Sequence, residues 1–260
     1  MLEAGYVACG ALVGLLVGIT GVGGGSLMTP LLVMVFGFAP TTAVGTDLLY
    51  ASATKAAGVA IHGRYGTVDW RVVGRLACGS LPCAAVTLLA LAHWRDAPRT
   101  PHVLIVALAL VIAATGGALL ARRWLLARLH ELAARRAPSF ARAQPMLVVV
   151  AGGVLGFLVT LTSIGAGALG VVMLSALYPQ RLTGSRLVGT DLAHAIPLTL
   201  VGGAGHLMLG NIDGRALWLL LLGSTPGVVV GSMLGIRMPE RALRTILGGL
   251  LLIVGVRMLA

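Results

Sequence analysis

The chain has 260 residues, of which 58% are apolar and only 10% are charged, whereas soluble domains carry roughly 25% charged residues. A soluble fold of this size could not bury so much apolar surface, and apolar segments recurring along the whole chain exclude disorder and a lone signal peptide. The net charge of +11 comes from arginines that lie mainly between apolar segments, as in cytoplasmic loops, and does not indicate nucleic-acid binding. The composition therefore predicts an all-α integral membrane protein.

Long apolar segments predict membrane-spanning helices, since a span needs roughly 20 residues. Residues 4–38 and 145–178 are each too long for one span and are broken by glycines. We interpret each of them as two short helices joined within the membrane by a glycine-rich turn. The other predicted spans are residues 42–61, 70–93, 101–121, 183–206, 215–236 and 241–259.

Arginine is concentrated in residues 122–144, which we predict to be a basic cytoplasmic linker. Residues 122–136 have the pattern of an amphipathic helix on the membrane surface. The chain then divides into a first transmembrane repeat (1–121), this linker, and a second transmembrane repeat (145–260).

The two halves of the chain repeat at a separation of 144 positions, without a gap. Residues 44–48 and 188–192 are both Val-Gly-Thr-Asp-Leu, and such an identity around a membrane aspartate indicates an internal duplication. Further identities pair Gly21 with Gly165, Gly23 with Gly167, His62 with His206, Asp69 with Asp213, Arg71 with Arg215 and Pro82 with Pro226.

The duplication predicts about ten helical segments, five in each half. An odd number inverts the second half, and loop charge favours this: with the linker inside, residues 62–71 lie inside and carry more arginine than residues 206–215 outside. We therefore predict two inverted five-helix repeats, an architecture of secondary transporters. If the glycine breaks are re-entrant instead, the count of spans falls toward eight or nine.

The two glycine breaks are candidate anion sites. Each would begin a helix inside the membrane, where free backbone N–H groups and the positive end of the helix dipole attract an anion. The alternative is close helix packing through small residues. The candidate residues are Gly23, Gly24, Gly25 and Ser26 in the first break, and Ser163, Gly165 and Gly167 in the second.

The repeated Gly-Thr-Asp sequence places Asp47 and Asp191 within predicted spans, where a carboxylate must face protein or water. Each aspartate is either a structural hydrogen-bond acceptor or a proton carrier or gate. Because a charged carboxylate repels an anion, we expect both to organise the glycine turns. The preceding Thr46 and Thr190 are candidate substrate-binding residues.

Lys55 is the only lysine of the chain, and its repeat counterpart is Thr199. A buried ammonium needs a partner, which is either Asp47 or a substrate anion. His194 lies within a span and could sense protons as a coupling residue. No spacing of His or Cys indicates a metal or a cofactor.

With these residues in place, the chain resembles the sulfite exporter TauE/SafE family, also called the toluene sulfonate uptake permease family. The resemblance covers essentially the whole chain and is carried by the glycine break before Pro30, Gly45-Thr46-Asp47-Leu48-Leu49 with Lys55 after it, Gly66 to Trp70, and the copies at 165–170, 189–192 and 210–215. It implies transport of sulfur-containing or other small organic anions, such as sulfite, sulfoacetate or related sulfonates, across a bacterial inner membrane.

One departure is visible, because Ala168 and Leu169 stand where the first break has Gly24 and Gly25. The second half-site is therefore expected to be less open than the first.

These features predict a secondary anion transporter that works by alternating access, with proton coupling as a hypothesis. Its partners would be the anion, membrane lipid and a second copy of the chain, with no nucleic acid. An anion channel or a membrane subunit of a larger complex is the alternative, and cations remain open as substrates. An enzyme is not expected, since no Gly-x-Ser-x-Gly or His-Glu-x-x-His pattern occurs.

Overall fold

A computed structural model describes residues 2–20, 25–94, 100–135, 137–235 and 240–259, and all structural statements here concern these residues. They form eleven helices and no strands, which confirms the all-α prediction. Six of the helices are long and apolar enough to cross a membrane. The helices are α1 (Leu2–Thr20), α2 (Gly25–Met34), α3 (Pro40–Arg64), α4 (Trp70–Trp94), α5 (Thr100–Leu120), α6 (Arg122–Arg135), α7 (Ala137–Thr162), α8 (Ala168–Leu177), α9 (Gly184–Met208), α10 (Gly214–Gly235) and α11 (Glu240–Leu259).

Each glycine break separates a long helix from a short one, not two short helices. Helices α1 and α7 have 19 and 26 residues, whereas α2 and α8 have 10 each. At 1.5 Å per residue a ten-residue helix is about 15 Å long, half of a hydrocarbon core of roughly 30 Å. Neither short helix is therefore long enough to cross a hydrocarbon core on its own.

The linker is helical over the part that the structure describes. Helix α6 coincides with the predicted amphipathic helix. Helix α7 begins at Ala137, within the predicted linker, and contains Pro145. The proline misled the prediction because a proline usually marks the first turn of a helix or breaks it, whereas α7 continues through it.

The repeat is visible in the packing of the helices. Helix α1 packs on α10, and its counterpart α7 packs on α4, so each half exchanges a helix with the other. The contacts match closely: a Cβ atom on Gly10 would lie 2.2 Å from the Leu220 carbonyl oxygen, and one on Gly152 would lie 2.2 Å from that of Leu76. Only glycine permits this backbone approach.

These matched contacts also correct the alignment of the halves. Leu76 and Leu220 are 144 positions apart, but Gly10 and Gly152 are 142 apart. The two halves therefore differ by two residues between the first helix and the third. The comparison of the two halves without a gap missed this difference. Glycines are so frequent in both breaks that they match at a separation of 142 as well as at 144 positions.

Equivalent helices of the two halves run antiparallel where they touch. Along α3 and α9, Gly45 lies against His206 whereas Leu48 lies against Gly202, so one residue number rises as the other falls. Helices α5 and α11 pair in the same antiparallel sense. Inverted repeats require this direction, and repeats of the same orientation would place equivalent helices parallel.

Two contacts show at which end of the bundle each short helix finishes. Tyr6, near the start of α1, packs on Phe36 after α2 at 4.6 Å between ring centroids. Gln144 Nε2 in α7 likewise donates to the Leu177 carbonyl at the end of α8 (2.5 Å). We call the end that contains residues 64–69, 122–135 and 177–186 the linker side, and the end that contains residues 3–6, 35–39 and 209–215 the opposite side.

Replacing Gly152 by alanine is expected to destabilise the protein, because the new methyl group meets the Leu76 backbone. Overpacking of this kind costs about 1–3 kcal/mol, which corresponds to a fall in Tm of roughly 5 °C for a chain of this size. Thermal unfolding in detergent micelles measures the effect. The neighbouring Gly153→Ala is the control, since its nearest atom would be 3.9 Å away; equal Tm values for the two variants would contradict the packing.

Candidate functional site

The Lys55 ammonium joins the two halves of the protein at the second break. The residue is only 4% exposed, and its Nζ donates a hydrogen bond to the Ala166 carbonyl oxygen at 2.7 Å. Both predicted acidic neighbours, Asp47 and Asp191, lie within electrostatic range of this ammonium. Lys55 is therefore held by a carbonyl of the opposite half and has two buried carboxylates within electrostatic range. The sequence offered Asp47 or a substrate anion as its partner, and the Ala166 carbonyl was not foreseen.

The second break has a backbone that favours glycine. Gly165 and Gly167 have φ values of 113° and 130°, and Ser163 has a φ of 59°, in the region that side chains disfavour. Helix α8 begins at Ala168 directly after this turn, and no side chain caps it. The first N–H groups of a helix have no partner within the helix, so the positive end of the α8 dipole lies beside the Lys55–Ala166 contact.

Asp47 binds the short helix of its own half. Its Oδ2 accepts hydrogen bonds from the Thr29 backbone N–H (3.2 Å) and hydroxyl (2.5 Å) in α2. Its Oδ1 is buried and has no hydrogen-bond partner among the described residues. The Ser163 hydroxyl of the second break lies beside this carboxylate and is likewise buried without a hydrogen bond of ordinary geometry in the described part of the chain.

Asp191 occupies the equivalent place in the second half. A Cβ atom on Gly170 would lie 2.0 Å from its Oδ1, so the carboxylate packs directly on the backbone of α8. Each aspartate thus contacts the short helix that follows the glycine break of its own half. These are the contacts expected of residues that organise the breaks, and they leave both carboxylates close to Lys55.

Thr46 and Thr190 have matched structural contacts away from the breaks. The Thr46 hydroxyl accepts a hydrogen bond from the Asp213 N–H (3.1 Å), and the Thr190 hydroxyl accepts one from the Asp69 N–H (3.0 Å). Each threonine thereby fixes the connection that precedes α10 or α4. We therefore leave both out of the anion site, although the sequence placed them among its candidates.

His194 lies in the same buried region and contacts a serine of the other half. Its Nε2 lies 2.9 Å from the Ser80 Oγ in α4. At the equivalent positions of the other half, the Tyr50 hydroxyl faces Ser224 in α10. The sequence analysis missed Tyr50, although its place opposite His194 in the repeat was a usable signal.

A separate ionic cluster lies on the linker side. Asp69 Oδ2 accepts a hydrogen bond from Arg181 Nε at 2.7 Å and lies 3.6 Å from a terminal nitrogen of Arg186. Burial of the Asp69 carboxylate on its own raises its pKa, but the hydrogen bonds from Arg181 and Val72 and the two guanidinium charges outweigh burial and lower the pKa below its usual range. The sequence analysis assigned these arginines only to topology.

The structure describes only part of the first break. Gly23 and Gly24 lie outside the described residues, as does the side chain of Ser26, while Gly25 begins α2. In the described part of the chain, no three His, Cys, Asp or Glu side chains are grouped to hold a metal ion. The predicted residues that the structure brings together are Asp47, Lys55, Ser163, Gly165, Gly167, Asp191 and His194.

Known proteins resemble the chain over nearly its whole length. Residues 6–258 match the protein family described as Sulfite exporter TauE/SafE. The Bacillus subtilis (strain 168) protein named "Probable membrane transporter protein YjnA" is 36% identical over 269 residues, which cover 99% of this chain and all of that protein. A second protein of that organism, "Probable membrane transporter protein YdhB", is 26% identical over 241 residues, which cover 90% of this chain and 91% of that protein. No solved structure matches the chain.

Thr190→Val is expected to destabilise the protein without weakening anion transport. The variant leaves the buried N–H of Asp69 without its acceptor, which costs about 1–3 kcal/mol. Thermal unfolding measures the loss, and initial rates in proteoliposomes measure the KM. Thr46→Val tests the matched bond to Asp213. An increased KM with an unchanged Tm would return these threonines to the binding site.

Proposed function

This chain belongs to the sulfite exporter TauE/SafE family, and from that premise we propose that it is a secondary transporter of small sulfur-containing or other organic anions. Sulfite, sulfoacetate and related sulfonates are the substrates that we expect. As a family member with six candidate spanning helices, the chain is a multi-pass protein of the bacterial inner membrane. The proposal concerns the substrate, the mechanism and the coupling ion.

The observation that carries the proposal is the buried ammonium of Lys55 at the start of α8. An oxyanion placed there would accept hydrogen bonds from Lys55 and from the uncapped N–H groups of the helix. Charge-assisted hydrogen bonds to an oxyanion are roughly twice as strong as bonds to a neutral carbonyl. An incoming anion would therefore draw the ammonium away from the Ala166 carbonyl.

Charge balance within the site supports proton coupling. One ammonium faces two carboxylates, those of Asp47 and Asp191, and an unbalanced charge inside the membrane is costly. The empty site is neutral when one carboxylate carries a proton. A monovalent anion then enters without net charge only if the second carboxylate also takes a proton, which gives cotransport of one proton with each anion.

Asp47 is well placed for the proton that balances the empty site. A proton on its Oδ1 would donate to the neighbouring Ser163 oxygen and satisfy two buried polar atoms that have no other partner in the described structure. Asp191 is then the carrier whose proton accompanies the anion. His194 is the other proton acceptor that lies close to Lys55.

Alternating access fits the arrangement of the short helices. Helices α2 and α8 are each too short to cross a membrane, and they return toward opposite sides of the bundle. Movement of one short helix would expose the site to one side only. A transporter that works by alternating access would use the two opposed half-sites in this way.

Flux into proteoliposomes tests the proposal directly. Vesicles receive sulfite, sulfoacetate, taurine, sulfate or thiosulfate in turn, with and without a pH gradient. We expect saturable uptake of at least one sulfur anion, and a loss of about tenfold or more in Lys55→Ala, equal to 1.4 kcal/mol. Thr199→Ala is the matched control, because this counterpart bonds only within its own helix. Wild-type protein that is inactive with all five anions would overturn the assignment of sulfur anions.

Asp191→Asn is expected to uncouple anion movement from protons, because the amide cannot take up the second proton and Asp47 keeps its own proton through the bond to Ser163. The variant should still equilibrate the anion down its gradient but should not accumulate it when the acidic side drives uptake. The measurement is the accumulation of a labelled anion inside vesicles when an imposed pH difference drives uptake. Asp213→Asn, at a surface connection, serves as the control. Undiminished accumulation by Asp191→Asn would exclude this carboxylate as the carrier.

A further inference from the structure

The ionic cluster on the linker side joins the connection between α8 and α9 to the start of α4. Asp69 lies directly before α4 and is only 4% exposed. Arg181 belongs to the connection between α8 and α9, and Arg186 lies in the first turn of α9. The ion pairs therefore hold the end of the short helix α8 against the start of α4.

Further hydrogen bonds fix both sides of this contact. The Asp69 carboxylate also accepts the Val72 N–H at 3.4 Å, which anchors it to α4. From α4, Arg75 donates to the Tyr178 hydroxyl at 3.2 Å, immediately after α8. The guanidinium of Arg181 lies over the Tyr178 ring, 5.7 Å from its centroid. The α8–α9 connection is thus tied to α4 at two points.

The internal repeat provides a comparison within the same molecule. On the opposite side, Asp213 keeps the backbone contacts of its counterpart, binding Thr46 and the Ala216 N–H. The residues that would supply its cations are missing, because residues 35–46 contain no charged side chain. The counterpart of Arg75 is Leu219. The fold is therefore symmetric at this position, but in the described part of the chain only one of these two aspartates, Asp69, has arginine partners. The opposite side has an ion pair between Arg215 and Glu3, but this pair joins the starts of α10 and α1 and does not involve the connection between α2 and α3.

We infer that Asp69, Arg181 and Arg186 form an ion-pair gate that closes the linker side, while the opposite side has no such gate. The inference rests on the proposed transport by alternating access, and it adds which side is closed at rest and which residues close it. For α8 to expose the site on the linker side, the α8–α9 connection must leave α4, and these ion pairs must break.

The chemistry of the gate suits repeated opening. The two guanidinium groups are about half exposed, at 43% and 52% of their side-chain surface, so water can replace the carboxylate when the pair separates. Ion pairs of this kind contribute little net stability because they are solvated and screened. A gate must be broken in every cycle, and this partly hydrated pair holds the closed state without trapping it.

Hydrogen–deuterium exchange of the purified protein tests the gate without any substrate. Arg181→Gln combined with Arg186→Gln removes the exposed partners and leaves the buried Asp69 in place. We expect amide exchange in the α8–α9 connection, residues 178–183, to rise by about tenfold or more. Exchange in residues 209–213, on the opposite side, should stay unchanged. Asp69→Asn should produce the same pattern, and Asp213→Asn is the matched control.

The outcomes separate the gate from the transport proposal. Unchanged exchange at residues 178–183 in the double variant would overturn the gate, even if the wild-type protein transports sulfite. An equal rise on both sides would also overturn it, because the loss would then be general. Faster exchange confined to the linker side supports the gate, and wild-type protein that carries none of the five anions would then refute only the assignment of sulfur anions.

Discussion

An ammonium buried inside a membrane protein must be surrounded by oxygen atoms, and this constraint organises the centre of the molecule. Lys55 comes from the first half, its carbonyl partner from the break of the second half, and its two acidic neighbours from both halves. The long spans, the glycine turn and the short helix α8 therefore converge on one side chain. In the proposed transport cycle, a substrate anion would enter a site in which the positive charge is already desolvated and positioned.

The repeated Gly-Thr-Asp sequence supplies three different contacts from three consecutive residues. Gly45 lets the backbone near Asn211 approach, since a Cβ atom there would lie 2.1 Å from the Asn211 oxygen. Thr46 holds the connection before α10, and Asp47 holds α2. A Cβ atom on Gly45 would also lie 2.8 Å from the Cβ of His206 in α9, so one short segment contacts a neighbouring helix, a loop and a short helix that follows a glycine break. A substitution at any of its positions would disturb both the packing and the site.

The sequence predicted the features that depend on local residue patterns. It did not predict the features that depend on contacts between distant parts of the chain. Apolar length predicted the candidate spans α4, α5, α9 and α10, whereas the predicted spans 42–61 and 241–259 form helices α3 and α11 that are not among the six candidates. The duplicated motif predicted two related halves. The two-residue difference between the halves became visible only through the matched glycine contacts of Gly10 and Gly152. The pairing of Arg181 with Asp69 joins residues 112 positions apart, and no periodicity indicates such a contact. The residues of the first break, including Gly23 and Gly24, stay predictions.

Comparing the two halves distinguishes residues that maintain the fold from residues that give each half its own chemistry. Positions that match between the halves, such as Thr46 with Thr190, form equivalent structural bonds. The matched Asp47 and Asp191 are acidic in both halves, whereas Lys55, whose counterpart is Thr199, supplies the positive charge of the proposed site in one half only. A perfectly symmetric inverted repeat would have the same energy when open to either side, because the two states would be related by its twofold axis. A preferred direction or resting state must therefore come from the residues that differ, and the unmatched arginines of the linker side provide such a difference.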